Sequence, residues 1–223
     1  MKNFFLSSIG KKITMGLAGL FLCLFLVVHL SVNLLMVKND GGQMYMKACS
    51  FMRSNLIIKG IEIVLFGGIF LHMLYGIILQ IQNWFARPER YYATPATKTS
   101  FFSKYMIHTG LVILSFLIFH FFHFFFVKTG LVSPPEGPAI VNGPHDFYHM
   151  AVNLFRQPFY SWTYILFILF MGFHLGHALQ SAFQTLGVGG PRISAVLKVV
   201  GWIYAVGITA GFIIIPVYFM YFY

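Results

Sequence analysis

The sequence has few charged residues, and that shortage narrows the class of protein. Only 9% of the 223 residues are charged, whereas 58% are hydrophobic and 19% are aromatic. A soluble domain of ordinary composition is about a quarter charged, so this composition excludes a soluble globular protein. It is typical of an integral membrane domain. We therefore predict one domain over residues 1–223, with a lipid bilayer as its partner.

Cysteines are also scarce. Cys23 lies within an apolar run and Cys49 lies in a predicted loop, so we expect no disulfide between them. The sequence contains no C-x-x-C-H motif, which argues against covalently attached c-type haem, and two thiols cannot hold a common iron–sulfur cluster. There is also no dinucleotide-binding fingerprint.

The net charge of +10 does not indicate a nucleic-acid partner, because the basic residues are scattered over several short loops. This distribution is typical of cytoplasmic anchoring and of docking an acidic or peripheral protein.

Five apolar segments are each long enough to cross a bilayer as a helix, which takes about 20 residues. They run roughly over Ile13–Val37, Leu56–Ile81, Tyr105–Val127, Trp162–Leu186 and Val196–Phe219. The sequence therefore predicts an all-α membrane protein with a bundle of five transmembrane helices. We read the first segment as a retained helix, because it is too long for a secretory signal and lacks a small-residue cleavage site.

The basic residues in the connections favour a cytoplasmic N-terminus and a C-terminus on the opposite side. Eight lie on the predicted inner side and five on the outer side. The inner residues are Lys2, Lys11, Lys12, Arg87, Arg90, Lys98, Lys104 and Arg192. The outer residues are Lys38, Lys47, Arg53, Lys128 and Arg156. In the long outer loop, we predict a short surface helix within His145–Phe155.

Four successive apolar segments each carry a deep histidine: His29, His72, His120 and His174. Ionisable residues are costly in hydrocarbon and are usually functional there. Given the alternating helix directions, His29 and His120 fall in the outer half, and His72 and His174 are shifted inward. At 1.5 Å per residue the two layers are roughly 10 Å apart. This pattern favours two stacked haems, each with two axial histidines, over packed interhelical histidines or a four-histidine metal site.

Other polar residues in the segments are further candidates. His123 and His177 each follow a deep histidine by three residues, so either is an alternative ligand or a contact for a haem propionate or a quinone. Asn33 shares a helix face with His29 and is a candidate for a contact with a haem propionate or with the neighbouring helix. Glu62 is the only carboxylate in an apolar segment. It is either a proton acceptor for quinol oxidation or a structural partner of Lys59.

Short motifs along nearly the whole chain resemble one family. They are Ser7–Lys12 with Gly19-Leu20, His29-Leu30 with Asn33-Leu34, Glu62, His72, Asn83 with Ala86-Arg87, Phe119-His120-Phe121, Phe173-His174-Leu175, His177 and Ser181–Gly187. In these motifs the chain resembles the cytochrome b membrane-anchor subunit of succinate dehydrogenase or fumarate reductase, of the five-helix, two-haem type. One departure is Val32, where many relatives have Gly beside the Asn, and a larger side chain there alters the approach of haem to the first helix.

The resemblance implies two b haems, menaquinone as substrate, and a flavoprotein and an iron–sulfur subunit anchored on the cytoplasmic face of a bacterial inner membrane. It assigns His29 and His120 to the haem far from these partners, and His72 and His174 to the near haem. It favours His174 over His177, because the family's ligand follows an aromatic residue, and His120 over His123 for a similar reason. Succinate–fumarate chemistry, in either direction, would occur on the flavoprotein, so the chain alone is not expected to be the succinate enzyme.

Two other functions stay open at this point. One is the cytochrome b anchor of a hydrogenase or formate dehydrogenase, although such anchors usually have four helices. The other is a small transporter that uses the histidines as a proton relay and holds no haem.

Overall fold

The computed structural model describes residues 7–85 and 105–223. Within these ranges the chain forms helices and connecting turns, without a strand. The helices are α1 Ser8–Asn33, α2 Gln43–Ser54, α3 Leu56–Phe85, α4 Met106–Lys128, α5 Phe147–Phe155, α6 Pro158–Thr185 and α7 Pro191–Tyr221. A short 3-10 turn, Leu34–Val37, continues α1.

Five of these helices, α1, α3, α4, α6 and α7, are long and apolar enough to span a membrane, with mean hydropathy from 1.5 to 2.5. They confirm the predicted all-α fold with five spanning segments and indicate a multi-pass membrane protein.

Several helices extend beyond the predicted apolar runs. Helix α1 begins at Ser8, because the Ser7 hydroxyl accepts a hydrogen bond from the Gly10 amide at 3.0 Å. Helices α6 and α7 begin at Pro158 and Pro191, since proline is well suited to the first helical position. The apolar run marks the hydrocarbon-spanning part of each helix, whereas these capping residues mark its actual start.

Four helices form a ring in which each contacts two neighbours. Helix α1 packs against α3 and α6, and α4 packs against the same two helices, while α7 packs mainly on α6 and also on α1. Helices α1 and α4 stand diagonally across the ring, as do α3 and α6, and each diagonal pair makes hardly any contact among the described residues. Side chains that reach across either diagonal meet in the interior of the bundle.

Glycine allows α6 and α7 to approach closely. A Cβ atom at Gly176 would lie only 2.9 Å from the Trp202 ring, and one at Gly172 would collide with the Thr209 hydroxyl. Small residues at helix contacts are a common means of close packing in membranes. This contact holds α7 outside the four-helix ring.

One end of the bundle is covered by α2, by α5 and by the loop that precedes α5, and we call it the capped end. Helix α5 lies within the predicted His145–Phe155 stretch, but the prediction that it lies on the surface was wrong. Seven of its residues, from Tyr148 to Phe155 with the exception of His149, are buried. Helix α5 is buried because it contacts α2, α4, α6 and α7 together, a set of neighbours that the local sequence pattern does not specify.

The sequence analysis also missed α2. Its start is fixed by Asp40, whose carboxylate accepts hydrogen bonds from the Gly42 and Met44 amides at 2.9 and 3.0 Å. The α2 segment has no long apolar run, so the search for spanning segments passed over it. The opposite end of the bundle, where α1 begins, is called the N-terminal end below. Of the basic residues assigned to the inner side, Lys2, Arg87, Arg90, Lys98 and Lys104 lie outside the described residues.

Candidate functional site

The structure brings the four deep histidines together in two pairs across the diagonals of the ring. His29 of α1 faces His120 of α4, with ring centroids 6.0 Å apart, and His72 of α3 faces His174 of α6, with centroids 6.4 Å apart. These are the same two pairs that the sequence analysis sorted by depth.

The distance within each pair suits two ligands of one metal ion. Imidazoles bound on opposite sides of a metal, with bonds of about 2.0–2.1 Å, have ring centroids roughly 6 Å apart. Among the described residues, no group of three or more His, Cys, Asp or Glu side chains is placed to hold a bare metal ion. Two histidines with nothing further from the chain are the donor set for a haem iron, whose other four ligands come from the porphyrin.

The pair His72–His174 is held by hydrogen bonds that leave one ring nitrogen available on each side. The Nδ1 of His72 lies 3.3 Å from the Met15 carbonyl oxygen, which can only accept, so Nδ1 carries the proton. The Nδ1 of His174 lies 3.0 Å from the Thr109 hydroxyl, which itself donates to the Met106 carbonyl at 2.9 Å. The His174 Nδ1 is therefore also the donor. In both rings Nε2 is left with its lone pair, as an iron ligand requires.

The pair His29–His120 has different surroundings. The Asn33 amide donates to the His29 carbonyl at 2.6 Å and lies 3.3 Å from His29 Nδ1. The two residues, which were predicted to share a helix face, are therefore in direct contact. The Nδ1 of His120 is buried and has no hydrogen-bond partner among the described residues. Leaving such a group unpaired costs about 1–3 kcal/mol. A polar atom retained at this cost beside a second histidine is typical of a binding site rather than of ordinary packing.

The two pairs lie at clearly different levels. A Cβ atom added at Gly19 of α1 would lie 3.3 Å from His72, and one at Gly110 of α4 would lie 3.7 Å from His174. His29 and His120 each follow these glycines by ten residues. At 1.5 Å per residue along the backbone the levels are therefore about 15 Å apart, against the roughly 10 Å predicted with several Å of uncertainty from the helix ends.

The neighbouring histidines have other contacts. The Nδ1 of His123 lies 3.1 Å from the Tyr164 hydroxyl, and its ring stacks edge-on against Phe119 at 4.4 Å. His177 is half-buried one turn after His174, and no ring contact between it and another histidine is recorded among the described residues. His120 and His174 thus have the geometry of paired ligands, whereas His123 is engaged with aromatic residues.

Helix α4 is irregular directly after His120. Residues Phe121–Phe125 form a π-helical turn, in which each backbone hydrogen bond spans five residues instead of the four of an α-helix. Such turns are rare and often lie at functional sites, because they change the direction in which side chains project. The sequence analysis missed this turn, and the five phenylalanines that surround His123 in residues 121–126 offer no local signal for it.

Glu62 is bound by Lys128, not by Lys59. The Lys128 ammonium donates to Glu62 Oε1 at 2.7 Å and joins α4 to α3 at the capped end. The predicted structural partner of Glu62, Lys59, was therefore wrong. Helix α4 brings Lys128 to the carboxylate instead. Beside this ion pair, the Phe66 ring lies 5.7 Å from Phe121 and 5.1 Å from Phe125.

Two further histidines, His145 and His149, lie at the capped end. His145 is exposed, but His149 lies 2.8 Å from the Asp146 carboxylate, which also accepts from the Asn142 amide at 2.8 Å and caps α5. Burial raises the pKa of Asp146, but the contacts with Asn142 and His149 together lower it by more, so that its pKa is below the usual range. His149 therefore has a structural role in the capped end.

No family model, curated protein or solved structure matches this chain. The fold and the site define a multi-pass membrane protein with two interior histidine pairs, and its function is inferred from those residues.

Proposed function

We propose that the chain is the membrane-anchor cytochrome b of a succinate:quinone oxidoreductase, either a succinate dehydrogenase or a fumarate reductase. One observation carries the proposal: His29 faces His120, and His72 faces His174, at two levels of the same bundle. Bound b haems would supply electron transfer between the two ends of the bundle.

The chain's own residues hold and orient the ligands. Met15 and Thr109 fix the proton on Nδ1 of His72 and His174, so that each Nε2 keeps its lone pair and can act as an acceptor. Partners of this kind fix the orientation of metal-binding histidines, and their loss typically costs 10–100-fold in affinity. Toward the capped end, the aromatic rings of Phe116, Phe124 and Tyr164 lie around His120, with centroids 5.9, 5.1 and 6.2 Å from its ring.

Menaquinone is proposed to react at the capped end, between α3 and α4. Phe66, Phe121 and Phe125 form an apolar aromatic wall beside the Glu62–Lys128 ion pair. A quinone head group needs an apolar surface for its ring and a polar group near its oxygens. Glu62 would accept a proton there as quinol is oxidised, and Lys128 would position its carboxylate.

The same proposal includes partner subunits, which are inferred from the resemblance of the sequence motifs to those of the cytochrome b anchor family. A flavoprotein and an iron–sulfur subunit would dock at the N-terminal end, nearest His72 and His174. Lys11 and Lys12, in the first turn of α1, are basic residues at that end. Succinate and fumarate would react on the flavoprotein.

Reduced-minus-oxidised spectroscopy of the full chain, purified from membranes with its associated proteins, tests the proposal. We expect b-type absorption, two haems per chain by pyridine haemochrome analysis, and succinate- or fumarate-linked electron transfer to menaquinone in the preparation. A preparation without haem would refute the proposal and favour the proton-relay transporter. Haem together with hydrogenase or formate dehydrogenase activity would favour the other respiratory anchor.

A further inference from the structure

The His120 ring is oriented in a different way from the other three deep histidines. Each of those three has a polar contact at Nδ1. The buried Nδ1 of His120 has no hydrogen-bond partner in the part of the chain that is described. A histidine that binds a metal needs one defined ring orientation, which neighbouring groups normally fix. For His120, that orientation therefore comes from the rings packed against it.

One of these rings, that of Tyr164 on α6, is itself held in place by a polar contact. It stands edge-on to the His120 ring, with centroids 6.2 Å apart, and only 3% of Tyr164 is exposed. Its hydroxyl lies 3.1 Å from Nδ1 of His123, and no other partner of this hydroxyl is recorded in residues 7–85 and 105–223. Neighbouring phenyl rings, such as Phe116 and Phe124, have no polar atom by which to be held. The tilt of the Tyr164 ring therefore depends on His123.

His123 belongs to the same helix as the ring that Tyr164 touches. It lies three residues after His120, within the π-helical turn of α4, and its own ring stands edge-on to Phe119 at 4.4 Å. Tyr164 thus contacts α4 at two points, because its ring packs on His120 and its hydroxyl meets His123. These two contacts fix the position of the tyrosine ring relative to the His120 imidazole.

We propose that Tyr164 is a positioning residue for the haem of the capped end: held by His123, its ring sets the rotation of the His120 imidazole. This inference rests on the proposed function and deepens it, because His120 needs a defined orientation only as a ligand. The competing account is that the contact between His123 and Tyr164 only satisfies a buried hydroxyl and ties α4 to α6. The two accounts differ in what the ligand ring does when the hydroxyl is removed.

The test is electron paramagnetic resonance of the oxidised full chain, purified from membranes with its associated proteins. The largest g value of a low-spin haem with two histidine ligands depends on the angle between the two imidazole planes. A turned ligand ring therefore displaces this signal even when the haem content is unchanged. Tyr164→Phe removes only the hydroxyl, and His123→Phe removes its partner and keeps a ring.

Tyr204→Phe is the matched control. It also removes one tyrosine hydroxyl, which donates to the Cys23 carbonyl at 2.7 Å, and no ring contact between Tyr204 and a histidine is recorded among the described residues. The signal of the capped-end haem is identified as the one that remains in His72→Ala.

We expect Tyr164→Phe to keep two haems per chain and to displace only the signal of the capped end. Transfer of this haem to apomyoglobin should show about fivefold weaker binding, the effect of one hydrogen bond. His123→Phe should displace the same signal, and the double variant should add nothing to the larger single shift, because both substitutions break one contact. Tyr204→Phe should leave both signals unchanged.

A parental chain without haem would contradict the proposed function and this inference together. If the parental chain holds two haems, an unchanged spectrum of Tyr164→Phe would overturn this inference alone. Displacement of both signals, or an equal displacement in Tyr204→Phe, would do the same. If Tyr164→Phe loses the capped-end haem while His123→Phe keeps the parental signal, Tyr164 acts by packing independently of His123, which also contradicts the inference.

Discussion

The Lys128 ammonium lies 2.7 Å from Glu62 Oε1 and ties the end of α4 to α3 at the capped end. Both side chains are partly exposed, 32% for Lys128 and 40% for Glu62, so the pair itself contributes little to stability. Its significance lies in its position beside the aromatic wall of Phe66, Phe121 and Phe125. A carboxylate held at that place by a neighbouring helix would be available to the quinone proposed to bind there.

We predict that Glu62→Gln abolishes menaquinol-linked turnover while both haems and the association with partner subunits are retained. The substitution keeps the shape of the side chain and removes its ability to take up a proton. Steady-state quinol oxidation, with haem content measured on the same preparation, checks this. Lys59→Gln is the matched control and should keep parental activity, because Lys59 does not hold the carboxylate. Turnover of Glu62→Gln at the parental rate would make Glu62 structural.

Substitution of single histidines should remove haems selectively. His29→Ala or His120→Ala should remove the haem of the capped end, and His72→Ala or His174→Ala that of the N-terminal end, because each haem depends on both of its ligands. Pyridine haemochrome analysis should then give one haem per chain instead of two. His123→Ala and His177→Ala are the controls and should keep two. If His177→Ala loses a haem and His174→Ala does not, the ligand assigned on α6 is wrong.

Thr109→Val should weaken haem binding at the N-terminal end only. The hydroxyl accepts the Nδ1 proton of His174 at 3.0 Å, and valine has the same shape without an acceptor. We expect a 10–100-fold loss of haem affinity at this pair, measured as haem transfer to apomyoglobin. Thr163→Val makes the same change on α6 and should have no effect, because within residues 7–85 and 105–223 that hydroxyl donates only to the Phe159 carbonyl of its own helix.

Gly19→Val should displace the His72 ring. Even a Cβ atom at Gly19 would lie 3.3 Å from His72 Cε1 and 3.4 Å from its Nδ1, and the valine methyl groups reach further. The variant should lose the haem of the N-terminal end and keep that of the capped end, as seen in low-temperature optical spectra. Gly67→Val is matched in chemistry and has open space around its Cβ position, so it should keep both haems.

Stability should fall at acidic pH because of Asp146. Its pKa is lower in the folded state than in the unfolded chain, so the carboxylate stabilises the fold above its unfolded pKa of about 3.9, and this stabilisation is lost as the pH falls through the lower folded value. Asp146→Asn keeps a capping oxygen but cannot titrate. We expect it to unfold about 1–2 kcal/mol more easily at pH 6, and we expect this difference to shrink as the pH falls below about 3.9.

Thermal unfolding of both proteins between pH 3 and pH 6 measures this difference. Glu136→Gln is the control, because Glu136 is exposed in the same loop and only its backbone oxygen is recorded in a hydrogen bond, with Gln157. A gap between Asp146→Asn and the parental chain that stays constant with pH would show that Asp146 acts through its shape and not through its charge.

The sequence by itself determined the spanning helices and the helix that carries each deep histidine. In hydrocarbon, a single long apolar segment can satisfy its own backbone hydrogen bonds only as a helix. The five apolar runs in the sequence therefore specify the five spanning helices. The alternation of helix direction then sorts the histidines by depth, which suffices to match His29 with His120 and His72 with His174.

Only the tertiary structure decided what surrounds these residues. Lys128 replaced Lys59 as the partner of Glu62, Thr109 and Met15 emerged as partners of the histidine rings, and α5 became buried. Each of these contacts joins elements that are distant in the chain. The local periodicity of the sequence indicates which side of a helix is apolar. Which atom of a neighbouring helix lies against a given side chain depends on the rotation and register of that neighbouring helix.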